Sequence, residues 1–328
     1  MLIGVIGLGN IGTAIANLVA ENGYNVIAWE YHLDVVNEIN NKRTNSLYLP
    51  NIYLDPKILA TNNIKEVLIK ADIIFVAIPS IFINKAFKEH KDNINLNAIV
   101  VNLAKGIDSN TYFTACETLS SIFPNNNVVM LAGPSIANEF SKKMPTVVIL
   151  AHKNKKTLLT VSKVLENNYF RIRFSDDVIG VELGGILKNI YAIGLGILNG
   201  KKINSINFRA VYLTMALEEM IKLGIKLGAK EETFYYLSGL GDLLATSLSE
   251  HSHNRKLGEL LANNYNIQQI KEIMKTLPEG YNTLKIILNI SEKYHVSLPL
   301  AKSIYEIINQ KYTVDKFVSL FIKDFVEE

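Results

Sequence analysis

Gly7-Leu-Gly9-Asn-Ile-Gly12 follows the apolar run Leu2–Ile6 and opens a helical pattern over Ile11–Glu21 that Gly23 ends. Glycines at this spacing, between a strand and a helix, constrain the fold more than any other feature of the chain. The first permits a tight turn, the second lets backbone approach a pyrophosphate, and the third allows close helix–strand packing with the helix N-terminus aimed at the phosphates. The alternative is a glycine turn with a purely structural role. The segment does not read as a signal peptide, because it lacks a basic leader and its apolar run is broken by the glycines.

Short β-branched runs recur at Asn25–Trp29, Ile73–Ile78, Ala98–Asn102, Val128–Ala132, Thr146–Ala151 and Phe170–Phe174, separated by helical patterns. Near-continuous apolar strands alternating with helices predict a mostly parallel sheet covered on both faces. After Ser175 the strand signal stops and helix follows helix, the last over 314–325. The 328 residues suffice for two domains. The predicted architecture is therefore α/β: a Rossmann-type, doubly wound, mostly parallel sheet over residues 1–175, then an all-α C-terminal domain over 176–328 that carries the substrate and catalytic groups. The longest apolar run, Val178–Leu198, contains Glu182, Lys188 and Asn189 and several glycines, so it reads as a buried helix and not a membrane span.

Composition narrows the function classes. Thirty-four Lys+Arg against 31 Asp+Glu give a net charge of +3, too weak to argue for nucleic acid. A single cysteine, Cys116, cannot form an internal disulfide, fits a reducing cytoplasm, and has no partners at metal-ligand spacing, so no metal is expected. Only five basic residues are arginines, Arg43, Arg171, Arg173, Arg209 and Arg255, which leaves few candidates for a rigid bidentate grip on phosphate.

Several residues stand where chemistry is expected. Glu30 ends the second strand, where the dinucleotide fold places an acid on the adenosine ribose hydroxyls. A carboxylate there repels a 2′-phosphate and neither Tyr31 nor His32 attracts one, so NAD is preferred, with NADP as the second possibility; a solvated strand-end charge is the alternative. Pro79 and Lys105 follow strands at their carboxyl ends, the ligand-binding edge of open parallel sheets, although a lysine among 29 is by default a surface group. Lys188 is the only charge between Glu182 and Lys201. A lysine so placed must snorkel, pair with an acid such as Asp242, or lose basicity through desolvation, and the last makes it a competent general acid. Ser252-His253-Asn254-Arg255 stands ahead of a helix, as an anion site or as an N-cap with solvated neighbours.

Together these residues resemble the bacterial NAD(P)-dependent glycerol-3-phosphate dehydrogenase family over nearly the whole chain. The matching segments are Gly-x-Gly-x-x-Gly-Thr-Ala at 7–14, Tyr48-Leu-Pro50, Ala71-Asp72, Pro79-Ser80, Lys105-Gly106, Gly133-Pro134-Ser135, Gly180 to Asn189, and Gly239-Leu-Gly-Asp242. The resemblance implies interconversion of dihydroxyacetone phosphate and sn-glycerol 3-phosphate with a nicotinamide cofactor, a supply of glycerol 3-phosphate for phospholipid synthesis, a cytoplasmic location and a homodimer. It implies Lys188 as the general acid, Lys105 as a second cation on the carbonyl oxygen, and Asn189, Asp242 and Thr246 as groups that position Lys188 and the substrate hydroxyls. Gly133, Ser135, Ser252, His253 and Asn254 would face the substrate. Gly7, Gly9, Asn10, Ile11, Gly12, Glu30, Pro79, Lys105, Arg255 and Glu279 would face the cofactor.

Two departures bear on the substrate. Where the family usually reads Ser-Arg-Asn-Arg, this chain has Ser252-His253-Asn254-Arg255, and a histidine offers fewer donors to a phosphate. Where it often reads Thr-Arg-Gly-Leu, this chain has Thr214-Met215-Ala216-Leu217. They leave open a paralogue acting on a related keto or hydroxy substrate. A dinucleotide-binding sensor without turnover is the alternative from another class.

Overall fold

The computed structural model describes residues 1–249, 252–313, 315–317, 319 and 323. The helix expected over 314–325 lies largely outside them. The chain forms two compact units, Met1–Glu182 and Leu183–Glu328, divided within the helix Val178–Gly200.

The first unit holds eight strands: β1 (Leu2–Ile6), β2 (Asn25–Trp29), β3 (Ile58–Thr61), β4 (Ile73–Val76), β5 (Ile99–Asn102), β6 (Asn127–Ala132), β7 (Thr146–Ala151) and β8 (Phe170–Ser175). They form one sheet in the order β3-β2-β1-β4-β5-β6-β7-β8, parallel throughout except between β6 and β7. The expected doubly wound, mostly parallel sheet is thus present. β1 is central, Leu2 opposite Asn25 on one side and Ile3 opposite Ile73 on the other, and strand order reverses between them. Parallel strands buried on both faces need apolar side chains at successive positions, as in β4, where Ile73, Ile74, Phe75 and Val76 are all buried. The strand missed from sequence is β3. It has four residues at the sheet edge, buried and exposed by turns, with Leu59 on the outside, too short a run to register as a period.

Helix Val178–Gly200 passes the length and composition test for a membrane span, but 83% of its most apolar window is buried inside the protein, the behaviour of a core helix. In the second unit, fully buried Tyr191 and Tyr212 knit three helices. The Tyr212 hydroxyl donates to the Tyr191 carbonyl at 2.7 Å, and the Tyr191 hydroxyl donates to Glu219 at 2.9 Å. Glu219, on helix Ile206–Lys226, also accepts from the amides of Leu300 and Ala301 in the first turn of helix Pro299–Ile308. Anchoring a helix N-terminus on a carboxylate satisfies orphan donors and complements the helix dipole. Burial pushes the Glu219 carboxyl up to about 7 despite these bonds. The short helix Glu231–Phe234 is followed by a π-helical turn, Leu237–Gly241, that runs into helix Asp242–Leu248.

Candidate functional site

Because β1, β4, β5 and β6 run in one direction, the segments that follow them lie along a single carboxyl edge: the glycine loop after β1, Pro79 after β4, Lys105 after β5 and Gly133 after β6. The loop glycines differ in what they permit. Gly7 takes φ +95°, a conformation that L side chains rarely adopt. A Cβ on Gly12 would stand 1.9 Å from the Gly7 carbonyl oxygen, so helix Asn10–Glu21 can pack this closely only without one. A Cβ on Gly9 would meet nothing within 4 Å, and among the described residues no side chain caps the helix there. Open space over a helix N-terminus is the shape a pyrophosphate requires, so this loop fits a dinucleotide.

Glu30 is buried at the end of β2. Its carboxylate accepts from the Leu8 amide at 2.9 Å and the His32 amide at 3.1 Å, bracing the glycine loop. A carboxylate has about four lone-pair sites, so these bonds leave room for further donors. Asn10 donates to the Tyr48 carbonyl and to Asn138. Asn45, a brace that sequence reasoning missed, is fully buried and donates to the Leu8 carbonyl at 2.8 Å and the Thr13 hydroxyl at 2.9 Å. No spacing or period marked it, since its role depends on a chain segment more than thirty residues away being folded against it. Ile11 follows Asn10 in the first helical turn, and Pro79 precedes the short turn Ser80–Phe82.

Lys105 is half-buried and leaves a turn tied by Asn102, whose side chain donates to the Ala104 carbonyl and accepts from the Ala104 amide. Asn102 also reaches Glu182, which accepts from the Cys116 amide at 2.9 Å. Burial drives the Glu182 carboxyl up to about 7. Gly133 has φ +109°, and Ser135 donates back to its carbonyl.

In the second unit the structure brings Lys188, Asp242 and Thr246 together. Lys188 is only 9% exposed, and its ammonium donates to Asp242 Oδ1 at 2.9 Å and to the Thr246 hydroxyl oxygen at 2.6 Å. Of the three fates open to a lysine on this helix, pairing is the one observed. Asp242 and Thr246, four apart, share one face of helix Asp242–Leu248 and so meet the same cation. Asn189, next to Lys188, accepts from Asn254 at 3.1 Å, while Asn254 in turn accepts from the Gly280 amide at 3.0 Å. Asn254 is thus a buried link between helices Val178–Gly200, His253–Ala262 and Glu279–Lys293, and only part of its amide is left for a ligand. Glu279 is half-buried beside Gly280 at the start of the last of these.

Ser252 caps helix His253–Ala262 by accepting from the Arg255 amide, the N-cap alternative of the sequence reading. His253 is exposed on the first turn. The Arg255 guanidinium donates to the carbonyls of Ser247 and Ser249, fixing it against the end of helix Asp242–Leu248.

The chain is similar to known proteins over nearly its whole length. The family models for the N-terminus and the C-terminus of NAD-dependent glycerol-3-phosphate dehydrogenase match residues 2–158 and 177–319. The glycerol-3-phosphate dehydrogenase (NAD(P)+) of Clostridium tetani is 34% identical over 323 residues, covering 97% of this chain and 92% of the relative. That of Fusobacterium nucleatum is 35% identical over 325 residues, covering 98% and 97%. Among solved structures, the glycerol-3-phosphate dehydrogenase of Coxiella burnetii superposes with a TM-score of 0.92 at 29% identity, covering 98% of each chain.

Proposed function

Since the chain belongs to the NAD-dependent glycerol-3-phosphate dehydrogenase family, we propose that Lys188 is the proton donor with which it reduces dihydroxyacetone phosphate to sn-glycerol 3-phosphate. The observation that carries this reading is the buried ammonium held at 2.9 Å by Asp242 and 2.6 Å by Thr246. A desolvated ion pair is a costly way to stabilise a fold, and it is well suited to present a proton at one fixed point.

The nicotinamide cofactor, when bound, supplies the hydride that reaches the carbonyl carbon. Lys188 gives its proton to the carbonyl oxygen as negative charge develops there, which leaves a hydroxyl on the product and a neutral amine on the enzyme. Asp242 and Thr246 hold that amine in line and favour its return to the ammonium form. The family resemblance assigns Lys105 as a second cation for the carbonyl oxygen, a charge that would stabilise the transition state more than the ketone. Gly133 and Ser135 line the substrate side, and Ser252, His253 and Asn254 receive the phosphate with the amides of their helical turn.

On the cofactor side, Gly7, Gly9, Asn10, Ile11 and Gly12 cradle the pyrophosphate and Glu30 accepts from the ribose hydroxyls, while the family resemblance alone assigns Pro79, Arg255 and Glu279 to the cofactor. The Glu30 carboxylate sets a preference for NAD, because its charge opposes a 2′-phosphate. The product feeds phospholipid synthesis, and the free thiol of Cys116 suits a cytoplasmic enzyme. The homodimer rests on the family resemblance alone.

Oxidation of NADH and of NADPH with dihydroxyacetone phosphate, by the wild-type and Lys188→Ala proteins, tests this reading. Substrate-dependent oxidation, faster with NADH and lost in the variant, is the expected result. Absence of turnover with either cofactor would leave a dinucleotide-binding sensor in its place.

A further inference from the structure

Gly184 lies one helical turn before Lys188, on the same face of helix Val178–Gly200. A Cβ built on it would stand 2.6 Å from the Ser238 carbonyl oxygen, 2.9 Å from the Ser238 carbonyl carbon and 3.1 Å from the Gly239 nitrogen. This is backbone packed directly on backbone. Ser238 and Gly239 belong to the π-helical turn Leu237–Gly241, which continues without a break into the helix that begins at Asp242. The turn is also tightly wound on the backbone that precedes it, since a Cβ on Gly239 would clash with the Phe234 carbonyl oxygen, five residues earlier in the chain. Because the turn is this tightly wound and runs directly into the helix of Asp242, a displacement at Ser238 is passed on to Asp242.

We propose that Gly184 is a positioning residue: by admitting the Ser238 carbonyl to the face of its helix, it sets the distance at which Asp242 meets Lys188. The inference rests on Lys188 being the proton donor. The Lys188 bonds to Asp242 and Thr246, at 2.9 and 2.6 Å, are direct and have little slack, so a shift of several tenths of an ångström in the turn loosens them. A π-turn at this point is the device that makes such a shift consequential, because its extra residue fixes the phase with which the next helix presents its side chains.

Gly184→Ala is the direct test. With Asp242 withdrawn, the ammonium form of Lys188 is less favoured, and the alkaline limb of the kcat profile for ketone reduction moves to lower pH. We expect a shift of about one unit, with kcat at neutral pH lower by about tenfold and KM for dihydroxyacetone phosphate nearly unchanged. Gly200→Ala is the matched control on the same helix, where a Cβ would meet that of Ala262 at 2.5 Å. It should lower Tm and leave the limb in place. Should Gly184→Ala fail to fold, Ser238→Gly decides the matter. It introduces no clash, frees the turn from its own side, and should move the limb in the same direction by a smaller amount. A folded Gly184→Ala protein with the wild-type limb and kcat, or a Ser238→Gly protein unchanged in both when the alanine variant cannot be read, overturns the proposal. Retention of activity by Lys188→Ala would instead overturn the assignment of the proton donor, a separate outcome.

Discussion

Lys188 and Asp242 stand 54 positions apart in the chain and meet at 2.9 Å in a region from which both are nearly excluded from water. Removing one charge leaves the other buried and uncompensated, which costs about 3–5 kcal/mol where it has been measured. Asp242→Asn should therefore lower stability in urea by that order and reduce kcat by at least about a hundredfold. Lys188→Met, which leaves Asp242 able to take up a proton, should cost less stability and more activity. Equal losses of both kinds in the two variants would mean that the pair serves the fold alone.

Gly9 and Gly12 separate folding from cofactor binding. Gly9→Ala adds a methyl into open space, so Tm should stay within about 1 °C of wild type, while the affinity for NADH falls by about tenfold or more because the methyl occupies the anion cradle. Gly12→Ala forces a methyl to within 1.9 Å of the Gly7 carbonyl and should lower Tm as well. Thermal melts together with a fluorescence titration of NADH distinguish the two. Unaltered NADH binding by Gly9→Ala would remove the loop from the cofactor site.

His253 occupies the exposed first turn of a helix, where an arginine would offer a fixed fork of donors. His253→Arg should lower KM for dihydroxyacetone phosphate severalfold with little change in kcat, since the added contact is made equally in ground and transition states. Steady-state kinetics at fixed NADH measures this. An unchanged or higher KM would show that this position does not face the phosphate.

Glu219 makes stability depend on pH with a definite sign. Its folded carboxyl titrates at about 7, above the usual carboxylate range, because it is buried. Between the unfolded value and about 7 the folded state binds a proton that the unfolded state has lost, so stability falls as pH rises through that window and is greatest below it. Glu182, also raised to about 7, acts in the same direction. Denaturant unfolding should show a loss on the order of 1–3 kcal/mol between pH 5 and pH 7.5 from Glu219. Glu219→Gln should flatten that part of the slope while lowering stability at pH 5, since an amide cannot accept from Leu300, Ala301 and Tyr191 on both of its atoms. A slope identical to wild type would assign the pH dependence elsewhere.

The contrast between Gly7 and Asn45 shows where the sequence stopped being readable. Gly7, Gly9 and Gly12 declare their geometry locally: a strand, a turn needing φ +95° and a helix all lie within a few residues. Asn45 braces the same loop from a segment outside any regular element, and its partners Leu8 and Thr13 are supplied by tertiary folding. β3 was missed for a related reason, as four edge residues become a strand only because β2 is there to pair with them.

By itself the sequence determined the parallel sheet, the glycine loop, the change to helices after β8 and the singular position of Lys188. Those follow from periodicity, from the steric allowance of glycine and from the rarity of a charge in an apolar helix, all properties of short stretches of chain. Tertiary structure alone decided which of its possible states Lys188 adopts. An ammonium on a buried helix has no preferred fate until the π-turn brings Asp242 and Thr246 across to it, and that approach depends on Gly184 having no side chain to hold the turn away.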